Sequence, residues 1–191
     1  MKREIINHTF KFRVGDSDEK GGCTFIGGDW KDVTTNDLFK GKKIVMFSLP
    51  GAFTPTCSSQ QLPTYDELYS EFIDKGVDDV YCISVNDAFV MNAWSRDLDI
   101  KKVKMIPDGC GTFTRSMGML VNKPKQGFGM RSWRYSALIN DGVVDILNVE
   151  PGFNNFSNDE DPYEVSDPNT ILGQIKGDVK LNAHYPSGLT I

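Results

Sequence analysis

Cys57 stands in the stretch SLPGAFTPTCSSQQLP, residues 48–63, behind a tight run of Pro, Gly and Thr and at the start of a helical pattern. A thiol acts as a nucleophile through its thiolate, and a free cysteine, with a pKa of about 8.5, is mostly protonated at neutral pH. Three local features favour the thiolate. A helix N-terminus carries partial positive charge and unpaired N–H groups. The Thr54 hydroxyl, just upstream, can donate to the sulfur or to a substrate oxygen. Pro50 and Pro55 restrict the loop and can shield the sulfur from water. An arginine from elsewhere in the chain completes such a set. The candidates are Arg131 and Arg134, and Arg134 is favoured because it reads as part of a strand that holds its side chain rigidly. The same position also suits a plainer use. Free cysteine is among the most buried residue types and packs as a small apolar group. Position alone leaves the two uses open.

The elements around Cys57 follow from apolar periodicity. KKIVMFSLP (42–50) is a continuous apolar run ended by Pro and reads as a buried strand. After Cys57, Leu62, Tyr65, Leu68, Tyr69, Phe72 and Ile73 form one helical face, closed by Gly76. Pro63 is expected to kink this helix or split its first turn. DDVYCISV (78–85) predicts a second buried strand, and a helix carrying Phe89, Val90, Ala93, Trp94 and Leu98 follows. KVKMIPD predicts a third short strand and GTFTRSMGM a short helix. WRYSALI and VVDILNVE flank Asp141-Gly142 as a hairpin. The last helix opens at SDPNTIL, capped by Ser166 or Asp167, with Pro168 in its first turn. Residues 1–40 read as irregular, with short β-type runs and a short helix in TTNDLFKG. This order predicts an α/β fold with a mixed sheet covered by helices on both faces. Right-handed crossovers make the first two core strands parallel neighbours. Sites in such sheets lie at the carboxyl ends of strands, where Cys57 falls.

Composition narrows the function classes. With 191 residues, 39% hydrophobic and 11% aromatic, the chain can bury a core. A net charge of −5 with scattered basic residues argues against nucleic acid or an anionic membrane as partner. The short KGKK at 40–43 reads as a solvated turn. No run approaches the roughly 20 apolar residues of a membrane span, and the first residues lack a signal-peptide apolar region, so a cytoplasmic location is expected. Four cysteines without a CxxC and only two histidines fit neither a disulfide scaffold nor a zinc site.

PGAFTPTC at 50–57 carries the P-x-x-x-T-x-x-C pattern of the peroxiredoxins, thiol peroxidases with a thioredoxin-like fold, and the chain resembles that family. The likeness is to its type II, peroxiredoxin-5-like group. It extends through DLFKGKKIVMFSLPGAFTPTCSSQQLP, YCISVNDAFVMNAW, IPDGCGTFTRSMGML and GFGMRSWRYSALINDGVVDILNVEP, nearly unbroken over residues 37–151. It is greatest for the peroxidase part of bacterial peroxiredoxin–glutaredoxin fusions. The resemblance implies one thioredoxin-like domain over 1–191 with a C-terminal tail from about 178. It makes Cys57 the peroxidatic cysteine, Thr54 the hydroxyl that orients the peroxide, Pro50 the shield at the pocket edge and Arg134 the arginine that holds thiolate and peroxide. It implies reduction of hydrogen peroxide and alkyl hydroperoxides through a cysteine sulfenic acid. Recycling would come from glutathione and glutaredoxin, or from thioredoxin, on another protein. No metal or organic cofactor is called for, and a homodimer packed near the active-site edge is implied.

By the same resemblance Cys82 is a possible resolving cysteine, as in the plant-like members of the group. A cysteine in a central strand is otherwise simply buried. A disulfide to Cys57 would require the first turn of the Cys57 helix to unwind. Cys23 and Cys110 read as structural, and NDED at 158–161 as solvated surface. Phe53, Phe89 and Trp133 suit a pocket or a dimer face, and Trp94 the core. Two rival readings are a thiol–disulfide oxidoreductase, against which the missing CxxC counts, and a peroxide sensor that relays oxidation to partners.

Overall fold

The computed structural model describes residues 3–16, 27–153 and 161–176. A short strand β1 (Arg3–Glu4) precedes a hairpin of two longer strands, β2 (Thr9–Asp16) and β3 (Gly27–Thr34). Helix α1 (Thr35–Phe39) follows at once, because Thr34 and Asp37 form a reciprocal capping box at its start. Strand β4 (Lys43–Ser48) leads through a π-helical turn (Cys57–Gln61), α2 (Leu62–Glu67) and α3 (Tyr69–Asp74) to β5 (Asp79–Ser84). Helix α4 (Ala88–Asp97) carries the chain to β6 (Lys104–Pro107). Then come α5 (Thr112–Ser116), a hairpin of β7 (Leu120–Lys123) and β8 (Gly129–Ser132), a hairpin of β9 (Tyr135–Asn140) and β10 (Val143–Val149), and α6 (Pro168–Gln174).

The central sheet has the order β1-β10-β9-β4-β5-β6. Strands β4, β5 and β6 are parallel neighbours, as the crossover rule predicts, while β9 runs antiparallel to β4. The central strands are buried on both faces, so their side chains divide by alternation. Ile44, Met46, Tyr81, Ile83, Ala137 and Ile139 join one cluster with residues of α1, α5 and β2. Val45, Phe47, Leu49, Val80, Cys82 and Leu138 join the other, with residues of α2, α3, α4 and α6. Cys57 belongs to this second cluster. Phe47, Tyr65 and Phe72 stack nearly parallel through it, with ring centroids 3.9 and 5.8 Å apart in succession.

Several expectations are met. The β9–β10 turn has Asp141 and Gly142 both at positive φ, 49° and 80°, the geometry that the Asp-Gly pair supplies for a two-residue hairpin. Trp94 is fully buried. Asp167 caps α6 by accepting from the Asn169 and Thr170 N–H groups. Others need correction. Residues 9–34 are not irregular along their described length, since β2 and β3 pair over almost all of it. The β7–β8 hairpin was not foreseen, because its strands are short and carry mixed polarity. Arg134 does not sit in the strand ladder, since β8 ends at Ser132 and β9 begins at Tyr135. The helix from Cys57 to Gly76 is split in its first turn, as Pro63 leads one to expect, but is also broken at Leu68, where Glu71 N–H closes a tighter turn on the Leu68 carbonyl. Cys23 and the expected tail lie outside the described residues. Among the described residues no helix is long and apolar enough to cross a membrane.

Phe72→Ala is expected to remove the end of the aromatic stack and leave a cavity, lowering unfolding stability by about 3–5 kcal/mol in a urea titration.

Candidate active site

The backbone just after β4 is forced into a narrow path. Asn86, beyond the end of β5, takes the Ala52 N–H on its Oδ1 at 3.0 Å, and Ser84 Oγ donates to the same oxygen. Thr54 Oγ1 donates to the Gly51 carbonyl at 2.8 Å. Between them Phe53 adopts φ 60°, a left-handed conformation that costs a bulky residue of order 1–3 kcal/mol and persists only where its neighbours hold it. The chain then enters the π-helical turn. Pro63 has no N–H to give the Ser59 carbonyl, and Leu62 N–H reaches back to the Cys57 carbonyl across the wider ring. Trp94 on α4 fixes this turn from outside, its Nε1 donating to Ser58 Oγ at 3.0 Å. The result is a Cys57 side chain with no exposed surface.

Arg134 meets it from the opposite side. The guanidinium is 1% exposed. Its Nη1 lies 3.5 Å from Cys57 Sγ and also donates to Gln61 Oε1. Its Nη2 is ion-paired with Asp161, and the Tyr163 ring centre lies 5.5 Å from Cζ. Burial disfavours the Arg134 charge, but the Cys57 sulfur and the Asp161 carboxylate outweigh it and hold the group above its ordinary pKa. Two buried donors beside the sulfur, Arg134 Nε and Gln61 Nε2, have no hydrogen-bond partner among the described residues. Such donors are costly to leave unmade in a folded core, and they suit a ligand oxygen.

A cleft of about 270 Å³, lined by Pro50, Thr54, Thr56, Lys123, Phe128 and Asp161, adjoins this region through Asp161, the partner of Arg134, although neither Cys57 nor Arg134 lines it. Pro50 is buried and Pro55 exposed, so of the two prolines Pro50 is the one enclosed against water. A larger cavity of about 620 Å³ opens elsewhere, between the β2–β3 hairpin and the ends of β5 and β6, and takes in His8, Trp30, Cys110 and Arg131 but neither Cys57 nor Arg134. Arg131 donates there to the Val85 carbonyl at 3.3 Å. Of the two arginine candidates, the fold therefore brings Arg134 to the sulfur.

The Redoxin family matches residues 17–164. A peroxiredoxin of Rhizobium etli is 52% identical over 176 residues, covering 92% of this chain and 96% of its own. The chain belongs to the peroxiredoxin family. It is of the type II, peroxiredoxin-5-like kind, with the thioredoxin-like α/β fold, and is a thiol-dependent peroxidase. The hybrid peroxiredoxin hyPrx5 of Haemophilus influenzae is 53% identical over 89% of this chain and 64% of its own. The solved structure of the Plasmodium falciparum antioxidant protein, a 1-Cys peroxiredoxin, superposes with a TM-score of 0.81 at 38% identity, covering 92% of this chain and 99% of that one.

Sequence reasoning missed three contributors to this peroxiredoxin's site. Gln61 stands in the π-helical turn with no sequence pattern to mark it. Asp161 was read as solvated surface, yet it reaches Arg134, while residues 158–160 of that run lie outside the described set. Glu150, buried to 1% exposure, was read only as the end of a strand. Its carboxylate accepts from the Glu164, Val165 and Ser166 N–H groups and from Ser166 Oγ, all within 3.0 Å. Its backbone N–H donates to the Arg134 carbonyl and its carbonyl accepts from Trp133 Nε1. Glu150 thus ties the segment carrying Asp161 and Tyr163 to the segment carrying Arg134. No local pattern announces this, because its donors are backbone groups remote in sequence. Cys82 lies fully buried in β5 opposite Phe47 of β4, and burial pushes its thiol pKa well up. Cys110 is exposed in the turn before α5.

Glu150→Ala strands three backbone donors and a hydroxyl, and is expected to lower unfolding stability by about 2–4 kcal/mol in a urea titration, with Glu150→Gln between it and wild type.

Proposed function

We propose that Cys57 is the peroxidatic nucleophile and that Arg134, Thr54 and Pro50 shape its reaction with hydrogen peroxide and alkyl hydroperoxides. The observation that carries this is the buried contact between Arg134 Nη1 and Cys57 Sγ, a fixed cation held against a sulfur that must become an anion. The thiolate attacks the terminal peroxide oxygen. An S–O bond forms, the O–O bond breaks, and the leaving oxygen takes a proton to depart as water or an alcohol. Cys57 becomes a sulfenic acid. Negative charge grows on the leaving oxygen, where Arg134 Nε and Gln61 Nε2 are available as donors. The Thr54 proton is engaged by the Gly51 carbonyl, which leaves the Thr54 oxygen as an acceptor for the hydroperoxide O–H rather than the donor expected from sequence. Pro50 limits water at the sulfur.

Two thiols return the sulfenic acid to Cys57, releasing water and a disulfide. The reading we favour is a one-cysteine cycle in which that disulfide forms outside this chain. Cys82 supports it: its thiol is buried at the centre of the sheet, and pairing with Cys57 would require the π-helical turn to release its bonds to Leu62 and Trp94. Glutathione with glutaredoxin is the preferred reductant, in keeping with the likeness to peroxiredoxin–glutaredoxin fusions, and thioredoxin the alternative. A homodimer and a cytoplasmic location complete the proposal.

Cys57→Ser is expected to abolish peroxide consumption. Arg134→Ala is expected to slow oxidation about 100-fold and to raise the pH midpoint of Cys57 alkylation. Near-wild-type rates in either variant overturn the assignment. Cys82→Ser is expected to turn over fully with glutathione and glutaredoxin. Mass spectrometry after a single equivalent of peroxide should find a Cys57 sulfenate or glutathione adduct, whereas a Cys57–Cys82 disulfide refutes the one-cysteine cycle.

A further inference from the structure

Arg134 serves more negative partners than the peroxidase cycle needs. One edge of its guanidinium faces Cys57 Sγ, and Nη2 is taken by Asp161, which belongs to the chain segment between β10 and α6. This carboxylate is no freely tumbling surface group. Glu150 clamps the backbone at residues 164–166, Tyr163 lies against the same guanidinium, and Tyr65 Oη donates to the Ser166 carbonyl at 2.7 Å. Yet Asp161 keeps 39% of its side chain exposed and lines the cleft that reaches Pro50 and Thr54. It stands where a substrate would pass, on the cation a substrate would use.

We propose that Asp161 is a specificity-determining counter-charge, which occupies the outer edge of the Arg134 guanidinium and so disfavours hydroperoxides that carry a negative charge of their own. The inference rests on Cys57 and Arg134 having the roles given above. One buried cation shared among several anions stabilises each of them less, and like charges within a few ångströms exclude one another. A neutral hydroperoxide brings no charge until its O–O bond breaks, when the sulfur has given up its own. An anionic hydroperoxide adds a charge to Cys57 and Asp161 before any bond has changed. Among the described residues, the other charged group lining the cleft is Lys123, whose Nζ lies 4.6 Å from the Trp133 ring centre. The remaining titratable groups packed near the sulfur, among the described residues, are Cys82, Tyr65 and Tyr163. Burial raises the pKa of each, so all three stay neutral and none duplicates Asp161.

The test measures two quantities in wild type and Asp161→Asn. One is the ratio of second-order rate constants for an alkyl hydroperoxide bearing a distal carboxylate and for its neutral methyl ester. The other is the pH midpoint of Cys57 alkylation by iodoacetamide. Asp161→Asn should raise the ratio about threefold or more and lower the midpoint by about half a unit. Both must move. If either stays at its wild-type value, or the midpoint rises because Asp161 served only to orient Arg134, the proposal is overturned. Should Asp161→Asn unfold, Asp161→Ser must give the same two shifts, and Asp161→Glu, which keeps the charge, must give neither. Wild-type protein in which peroxide leaves the Cys57 thiol intact refutes instead the role assigned to Cys57.

Discussion

A guanidinium that is 1% exposed cannot stand alone in a protein interior. Arg134 is the constraint on which the active-site region of this peroxiredoxin depends. Its charge must be matched, its N–H groups must find acceptors, and its position must be held without a strand ladder. Cys57 and Gln61 from one chain segment and Asp161 from another match the charge and take the Nη1 and Nη2 donors, and Tyr163 covers the face. Glu150 meets the third demand, with its backbone against the Arg134 carbonyl and its carboxylate against the segment that delivers Asp161. Removing the cation would therefore disturb the packing of residues 161–166 as well as the chemistry at the sulfur.

The thiol side of the site is built by a different means. There the backbone is forced, through a left-handed Phe53, a side chain–backbone bond from Thr54 and a wide turn before Pro63. These irregular features sit directly on the end of β4, the most completely buried strand of the sheet along with β5. A rigid double-sided core supports a locally strained loop, which is how a cysteine side chain can be both fully enclosed and fixed in direction. The aromatic stack of Phe47, Tyr65 and Phe72 transmits that rigidity from the sheet to the helices after the turn.

Much of this was legible beforehand. Apolar runs located β4, β5 and the β9–β10 hairpin, and Asp141-Gly142 marked its turn, because burial and turn geometry act through neighbours in the chain. Pro63 announced a break in the Cys57 helix for the same reason. The polar partners of Arg134 were not legible. Asp161 in an acidic run looks like solvated surface unless the buried cation opposite is known, and a glutamate at a strand end gives no hint of four donors gathered from a later loop.

The sequence by itself determined the layered α/β plan, the placing of Cys57 at the carboxyl end of the first core strand, and the kinship that makes a peroxidase of the chain. These depend on periodicity and on a contiguous motif. Only the tertiary structure decided that Gln61 Oε1 joins the Cys57 sulfur at Arg134 Nη1, that the Thr54 proton is engaged by Gly51, and that Asp161 shares the guanidinium. Each of those outcomes is a choice of electrostatic or hydrogen-bond partner across space. Long polar side chains have several partners within reach, and which one is met depends on where packing brings distant segments together.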